Sequence, residues 1–158
     1  MKPIKFYIFL FFLVSITVKC QTEKETIDFL NNKLALYTSK MVDDPAYFKV
    51  GTGNDYGKVI IIDLYISGKL FDTMKFHCDQ ITAITTMRNG LGYLCLKLVS
   101  NSGLIVLKLA DESKETFISD IILPLETADE EVYRIRKAFE HLFKLNGMKV
   151  VNDNLFKN

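Results

Sequence analysis

From residue 58 to residue 123 apolar residues recur at alternate positions, and β-branched and aromatic types dominate. A strand turns successive side chains to opposite faces, so this period fits strands and not helices. Over 58–67, Ile60, Ile62, Leu64 and Ile66 share one face, with Asp63 and Tyr65 on the other. The same reading predicts strands over 70–78, with Leu70, Met74, Phe76 and Cys78 on one face, and over 80–87, 93–99, 104–109 and 116–123. Gly68, Asn89-Gly90 and the segment 100–103 supply turns, because Gly and Asn tolerate positive φ, and Pro124 ends the last strand. Strands 93–99 and 104–109 are expected to pair with each other. A short strand over 47–50 brings the expectation to six or seven consecutive strands. Short connections between consecutive strands require an antiparallel sheet.

A helix is predicted on each side of this block. Over 22–40, Thr22 and Glu25 have capping-box spacing, and Ile27, Leu30, Leu34 and Tyr37 make one apolar stripe. Asp28, Asn31, Asn32 and Lys33 fall largely off it. After residue 124, Thr127 and Glu130 repeat the capping-box spacing. Val132, Ile135, Phe139 and Leu142, widened by Ala138 and Phe143, form a second stripe, which Asn146-Gly147 stops. The tail 149–158 carries Val150, Val151, Leu155 and Phe156. The fold expected is therefore α+β: an N-terminal helix, a run of antiparallel strands, and a C-terminal amphipathic helix packed on them. A flat exposed sheet of this length is adhesive, so it should curl into a sheet or barrel. In element order it resembles a pleckstrin-homology-like barrel.

Residues 1–20 read as an export signal. Lys2 and Lys5 precede an apolar run over 6–18, broken only by Ser15 and Thr17. That run is shorter than the roughly 20 apolar residues needed to span a bilayer. Cleavage after Cys20 leaves a single domain, 21–158. Lipidation of Cys20 is the rival reading, and it would tether the protein to a membrane. Loss of Lys2, Lys5 and Lys19 lowers Lys+Arg from 20 to 17 against 19 Asp+Glu, so the net charge moves from +1 to −2. Such a domain lacks the basic face of a nucleic-acid binder, and Arg134, Arg136 and Lys137 sit among acids on a helix. In an oxidising compartment Cys78 and Cys95 either form a disulfide or remain buried thiols.

The stretch Glu25-Thr26-Ile27-Asp28-Phe29-Leu30-Asn31, the stretch Arg134-Ile135-Arg136-Lys137-Ala138-Phe139-Glu140-His141-Leu142 and the junction Cys20-Gln21 together resemble small exported proteins of uncharacterised function from Bacteroidota-type bacteria. The resemblance implies a secreted or periplasmic location in the cell envelope and no particular activity. Such proteins often carry more cysteines, whereas this helix ends Leu145-Asn146-Gly147, so no shared disulfide scheme is implied.

Local motifs for chemistry are weak. His77-Cys78-Asp79 gathers a base, a nucleophile and a carboxylate, but strand neighbours point apart, so only His141 could approach Cys78. The chain has 2 His, without HxH or HExxH spacing, so no metal site is expected. Gly51-Thr52-Gly53 lacks the rest of a phosphate loop and reads, with Asn54-Asp55, as a loop. Asp43-Asp44 and Asn54-Asp55 do not alternate as calcium loops do. Tyr47, Phe48, Asp55, Tyr56 and the neighbouring Tyr65 form the candidate contact surface, centred on 43–56. The expectation is a non-enzymatic exported binding module without a cofactor, its partner a protein. A carrier of a small apolar ligand in a curled sheet is the first alternative, and a cysteine-dependent enzyme the second.

Overall fold

A computed structural model describes residues 21–37, 45–100 and 103–147. The expected export signal with Cys20, the Asp43-Asp44 pair, residues 101 and 102 of the 100–103 turn and the tail 149–158 lie outside the described residues. Helix α1 (Glu23–Tyr37) starts at the expected capping box. The Glu25 N–H donates to Thr22 Oγ1 at 3.2 Å, and the Thr22 N–H donates to Glu25 Oε2 at 2.9 Å. Helix α2 (Asp129–Leu145) starts on Ala128 instead, an extended residue without a side-chain cap. Thr127 therefore does not cap it. Asp129, Glu130 and Glu131 fill its first turn and complement the positive end of the helix dipole.

Eight antiparallel strands lie between the helices: β1 (Ala46–Asn54), β2 (Lys58–Ile66), β3 (Lys69–His77), β4 (Ile81–Arg88), β5 (Leu94–Ser100), β6 (Ile105–Leu109), β7 (Glu115–Ile118) and β8 (Asp120–Pro124). They form two open sheets rather than a closed barrel. One has the order β1-β2-β3-β6-β7 and the other β4-β5-β8. The curled-sheet expectation holds, with three corrections. The segment read as a Gly-rich loop is the second half of β1, where Gly51 pairs with Ile61 and Gly53 with Val59. A Cβ on Gly53 would stand 3.1 Å from Ile61 Cδ1 and 3.4 Å from Val59 Cγ2. Glycine thus leaves room for β2 side chains, which is its role within a strand. Strands β5 and β6 do not pair: β5 lies between β4 and β8, β6 between β3 and β7. The stretch 116–123 is two strands in different sheets, and Ser119 at the corner accepts the Ser100 N–H at 2.7 Å.

Turn chemistry explains the hairpins. Ser67 and Gly68, at φ 50° and 75°, close β2 onto β3. Between β4 and β5 the positive φ falls on Gly92, not on Asn89 or Gly90. Asn89 instead accepts the N–H groups of Leu91 and Tyr93 on Oδ1, each at 3.0 Å.

One continuous core joins the two sheets and both helices. The predicted stripe of α2 is buried throughout: Val132, Ile135, Ala138, Phe139, Leu142 and Phe143. Phe143 meets Phe76 of β3 edge-on, with ring centroids 5.8 Å apart. Helix α1 buries Leu30 and Leu34 and lies along β1. There Asn31 seals the strand's outer edge: its Nδ2 donates to Val50 O at 3.0 Å, and the Val50 N–H donates to its Oδ1 at 2.6 Å. The pairs Lys33–Glu131 at 2.8 Å and Arg88–Asp129 at 2.6 Å hold α2 to α1 and to the end of β4. Among the described residues no helix is long and apolar enough to cross a membrane.

One inward position breaks the apolar pattern. Asp72 of β3 faces Leu64 and Leu109 in the ladder, and its Oδ1 has no hydrogen-bond partner among the described residues. Burial pushes its carboxyl pKa upward. A raised carboxyl pKa in the folded state means that ionisation opposes folding. The cost is full above the folded pKa and disappears as pH falls to the ordinary carboxylate value. Asp72→Asn is therefore expected to stabilise the protein at pH 7 by up to about 1 kcal/mol. Urea melts at pH 7 and pH 4 check this: the gain should shrink at pH 4, and a gain of equal size at both would refute the assignment.

Candidate functional site

The sequence-predicted contact residues do not form one surface. Phe48 points inward and is 5 % exposed, because alternation along β1 places Phe48 and Val50 on the core side. Tyr47 lies on the outward face and stacks on Tyr65, with centroids 5.0 Å apart and planes 2° from parallel. Asp55 and Tyr56 stand at the other end of β1, about 26 Å away at strand rise. They form the β1–β2 hairpin, in which Tyr56 adopts φ 48° and is fully exposed.

At the hairpin end, the outward face of the five-stranded sheet forms a groove of about 240 Å³. The pairing register builds it. Ile61 of β2, Lys75 of β3, Val106 of β6 and Phe117 of β7 follow one another across the sheet. Val59 and His77 pair in the next row toward the hairpin. Val59, Leu104, Val106 and Phe117 line the groove with apolar surface, and Phe117 and Leu104 are 65 % and 41 % exposed. Asp55, Lys75, His77, Gln80 and Glu115 supply the polar lining. The His77 N–H donates to Gln80 Oε1 at 2.9 Å, and His77 Nδ1 lies 3.2 Å from Lys58 O, which fixes the ring beside Gly57. Lys75 is half-buried, and its ammonium makes no ion pair or hydrogen bond among the described residues. Of the predicted contact residues only Asp55 lines this groove. Phe117 was hidden by the merging of β7 and β8 into one strand, and Lys75 by its place in an ordinary apolar-polar alternation.

A second groove of about 240 Å³ lies at the helices, lined by Gln21, Phe29, Arg134, Lys137, Ala138 and His141. His141 Nε2 bonds Gln21 O at 3.0 Å, so His141 is engaged there and not at Cys78.

Cys78 and Cys95 are free and buried thiols. Cys78 opens the 3-10 turn that precedes β4, whereas Cys95 pairs with Met87 at the far end of that strand. The ladder holds them about 20 Å apart, beyond the roughly 7 Å that a disulfide permits between Cα atoms. The disulfide alternative is thus overturned. Burial, reinforced by Asp79, pushes the Cys78 thiol up to about 11, so it stays protonated at neutral pH. No group of three or more His, Cys, Asp or Glu able to hold a metal ion occurs among the described residues.

No family model matches the chain, and no curated protein or solved structure is significantly similar to it.

Proposed function

We propose that this chain is an exported, non-enzymatic binding module that receives side chains of a larger partner in the groove of its five-stranded sheet. The observation that carries the reading is the groove itself, with exposed Phe117 and Leu104 beside polar groups on a framework of paired strands. Its size favours a protein partner over a carried small ligand. Sites that enclose small molecules hold roughly 300–1,000 Å³, and this one holds about 240 Å³. The space between the sheets, where a carrier would keep its ligand, is occupied by the continuous core. A cysteine mechanism gains no support, since the Cys78 thiol is unactivated and both histidines bond backbone carbonyls elsewhere.

Site-specific photo-crosslinking in the native cell tests this. A benzophenone side chain replacing Phe117 should trap one discrete partner, whereas the same probe at Leu36, which is 71 % exposed and on α1, should not. Phe117→Asp should abolish partner recovery while leaving the unfolding free energy, measured in urea, within about 0.5 kcal/mol of the parent. Identical adducts from both positions, or none from Phe117, would exclude the groove as the contact surface. The mass of the same material, starting either at Gln21 or at a lipid-bearing Cys20, checks the export reading.

A further inference from the structure

We infer that two copies of this chain associate through β4, whose free edge pairs antiparallel with the same strand of a second copy and joins the two three-stranded sheets into one. This edge belongs to the three-stranded sheet and the groove to the five-stranded one, so the two contacts stand or fall separately. The four sheet edges are treated unequally. β1 is closed by α1, whose Asn31 bonds both backbone polar groups of Val50. β7 has four residues and opens on Glu115. β8 has five, with Asp120 at one end and Pro124 at the other. Short length, charge and proline are the usual devices that keep an edge from pairing. β4 has eight residues, Ile81–Arg88, and no strand on its outer side among the described residues. It contains neither Pro nor Gly, and its one charge, Arg88, stands at its end. The bulge at Thr82 affects only its start, and 83–88 keep regular register with β5. Half of the backbone N–H and C=O groups of such a strand point away from its neighbour.

A row of free backbone groups is matched by another extended strand. That strand must itself have a free edge, and it must be uncharged where it meets 81–87. β4 meets both conditions. Its ends also make it self-complementary. Asp79 is exposed just before the strand, and Arg88 closes it. Antiparallel pairing sets the Arg88 end of each copy against the Asp79 end of the other. Opposite charges then meet at both ends, as in the isologous contact of a two-fold dimer. Arg88 also holds Asp129 and the Gly92 carbonyl, yet its side chain is 58 % exposed. The β4–β5 hairpin adds apolar surface beside the edge, since Met87, Leu91 and Tyr93 are all exposed there.

The test is sedimentation equilibrium of the protein purified from its own cell envelope, combined with amide hydrogen exchange at low and high concentration. The parent should approach twice the monomer mass as concentration rises. Amides of β4 should gain protection with concentration, and those of β7, an edge of the other sheet, should not. Thr85→Lys sets a charge in the middle of the edge and should raise the dimer dissociation constant by at least about tenfold. Asp79→Lys lies on an exposed turn outside the strand, so it spares the fold. It should raise the same constant about three- to tenfold, with urea unfolding unaltered at concentrations where the parent is monomeric. Phe117→Asp, on the other sheet, should leave the dimer intact. A monomer mass at every concentration would overturn the inference. So would a dimer without protection of β4, or one that persists equally in Thr85→Lys and Asp79→Lys, because the contact would then lie elsewhere. Loss of the dimer in Phe117→Asp would overturn it by assigning self-association to the groove. Protection of β4 in a complex whose mass shows a different protein would overturn it by giving the edge to another chain.

Discussion

Phe143→Ala is expected to lower the stability of the domain by about 3–5 kcal/mol. Phe143 is fully buried in the last turn of α2. Its ring sits edge-on to Phe76 and 5.9 Å from the ring of Phe139. Truncation removes the transfer energy of an aromatic side chain and both ring contacts. The resulting cavity lies between a helix and a strand that are each held elsewhere: α2 by its other buried stripe residues, and β3 by β2 and β6. Neither can collapse freely onto the gap, which puts the cost in the upper part of the range for large-to-small changes. Single domains are stable by only about 5–15 kcal/mol, so the loss should move the urea midpoint by about 2 M. Phe143→Leu should recover most of it, because it refills much of the volume. Phe117→Ala is the contrasting control, since that ring is 65 % exposed and belongs to the groove. A shift below about 1 kcal/mol for Phe143→Ala would mean that the end of α2 is not docked on β3.

The same residues show what a one-dimensional reading can reach. The stripes of α1 and α2, the capping box at Thr22 and the strand pattern from Lys58 are local periodicities, and each is present in the structure. Pairing is not local. Residues 116–123 carry neither Gly nor Pro to announce a change of sheet, and only Ser119-Asp120 marks the place where the chain passes from one sheet into the other. Gly51 and Gly53 have loop composition, but the ladder with β2 overrides it, and at Gly53 the missing Cβ leaves room for Ile61 and Val59. The Thr127–Glu130 spacing matches a capping box, but the backbone of Ala128 is the extended residue at which α2 begins. The groove was illegible for the same reason. Asp55, His77, Leu104 and Phe117 come together only through registers that link strands far apart in sequence. No short motif could have marked them.

Asn31 was passed over because it falls off the apolar stripe of its helix, yet it completes the edge of β1. Its amide presents one acceptor and one donor to the N–H and C=O of Val50, as a neighbouring strand would. Asn31→Asp tests this with almost no change in shape. At neutral pH one carboxylate oxygen can still accept the Val50 N–H, but the other faces the Val50 carbonyl and has no proton to give. The expected loss is about 2–3 kcal/mol, the cost of a missing partner for a buried group with a charge added. Protonation restores the donor, because a neutral carboxyl group matches the amide in shape and bonding. The folded state therefore holds the introduced proton more tightly than the unfolded chain, and the carboxyl pKa at position 31 is raised on folding. A raised carboxyl pKa makes the penalty complete above the folded value and removes it as pH falls to the ordinary carboxylate value. The stability difference from the parent, measured by urea unfolding at matched pH, should thus shrink to under about 1 kcal/mol near pH 4. Asn31→Leu, which has no proton to regain, should keep its full loss at both pH values, and the parent's other carboxylates cancel in the subtraction. A difference for Asn31→Asp that does not change with pH would mean that the Val50 carbonyl needs no donor from α1. The edge of β1 would then be closed by packing alone.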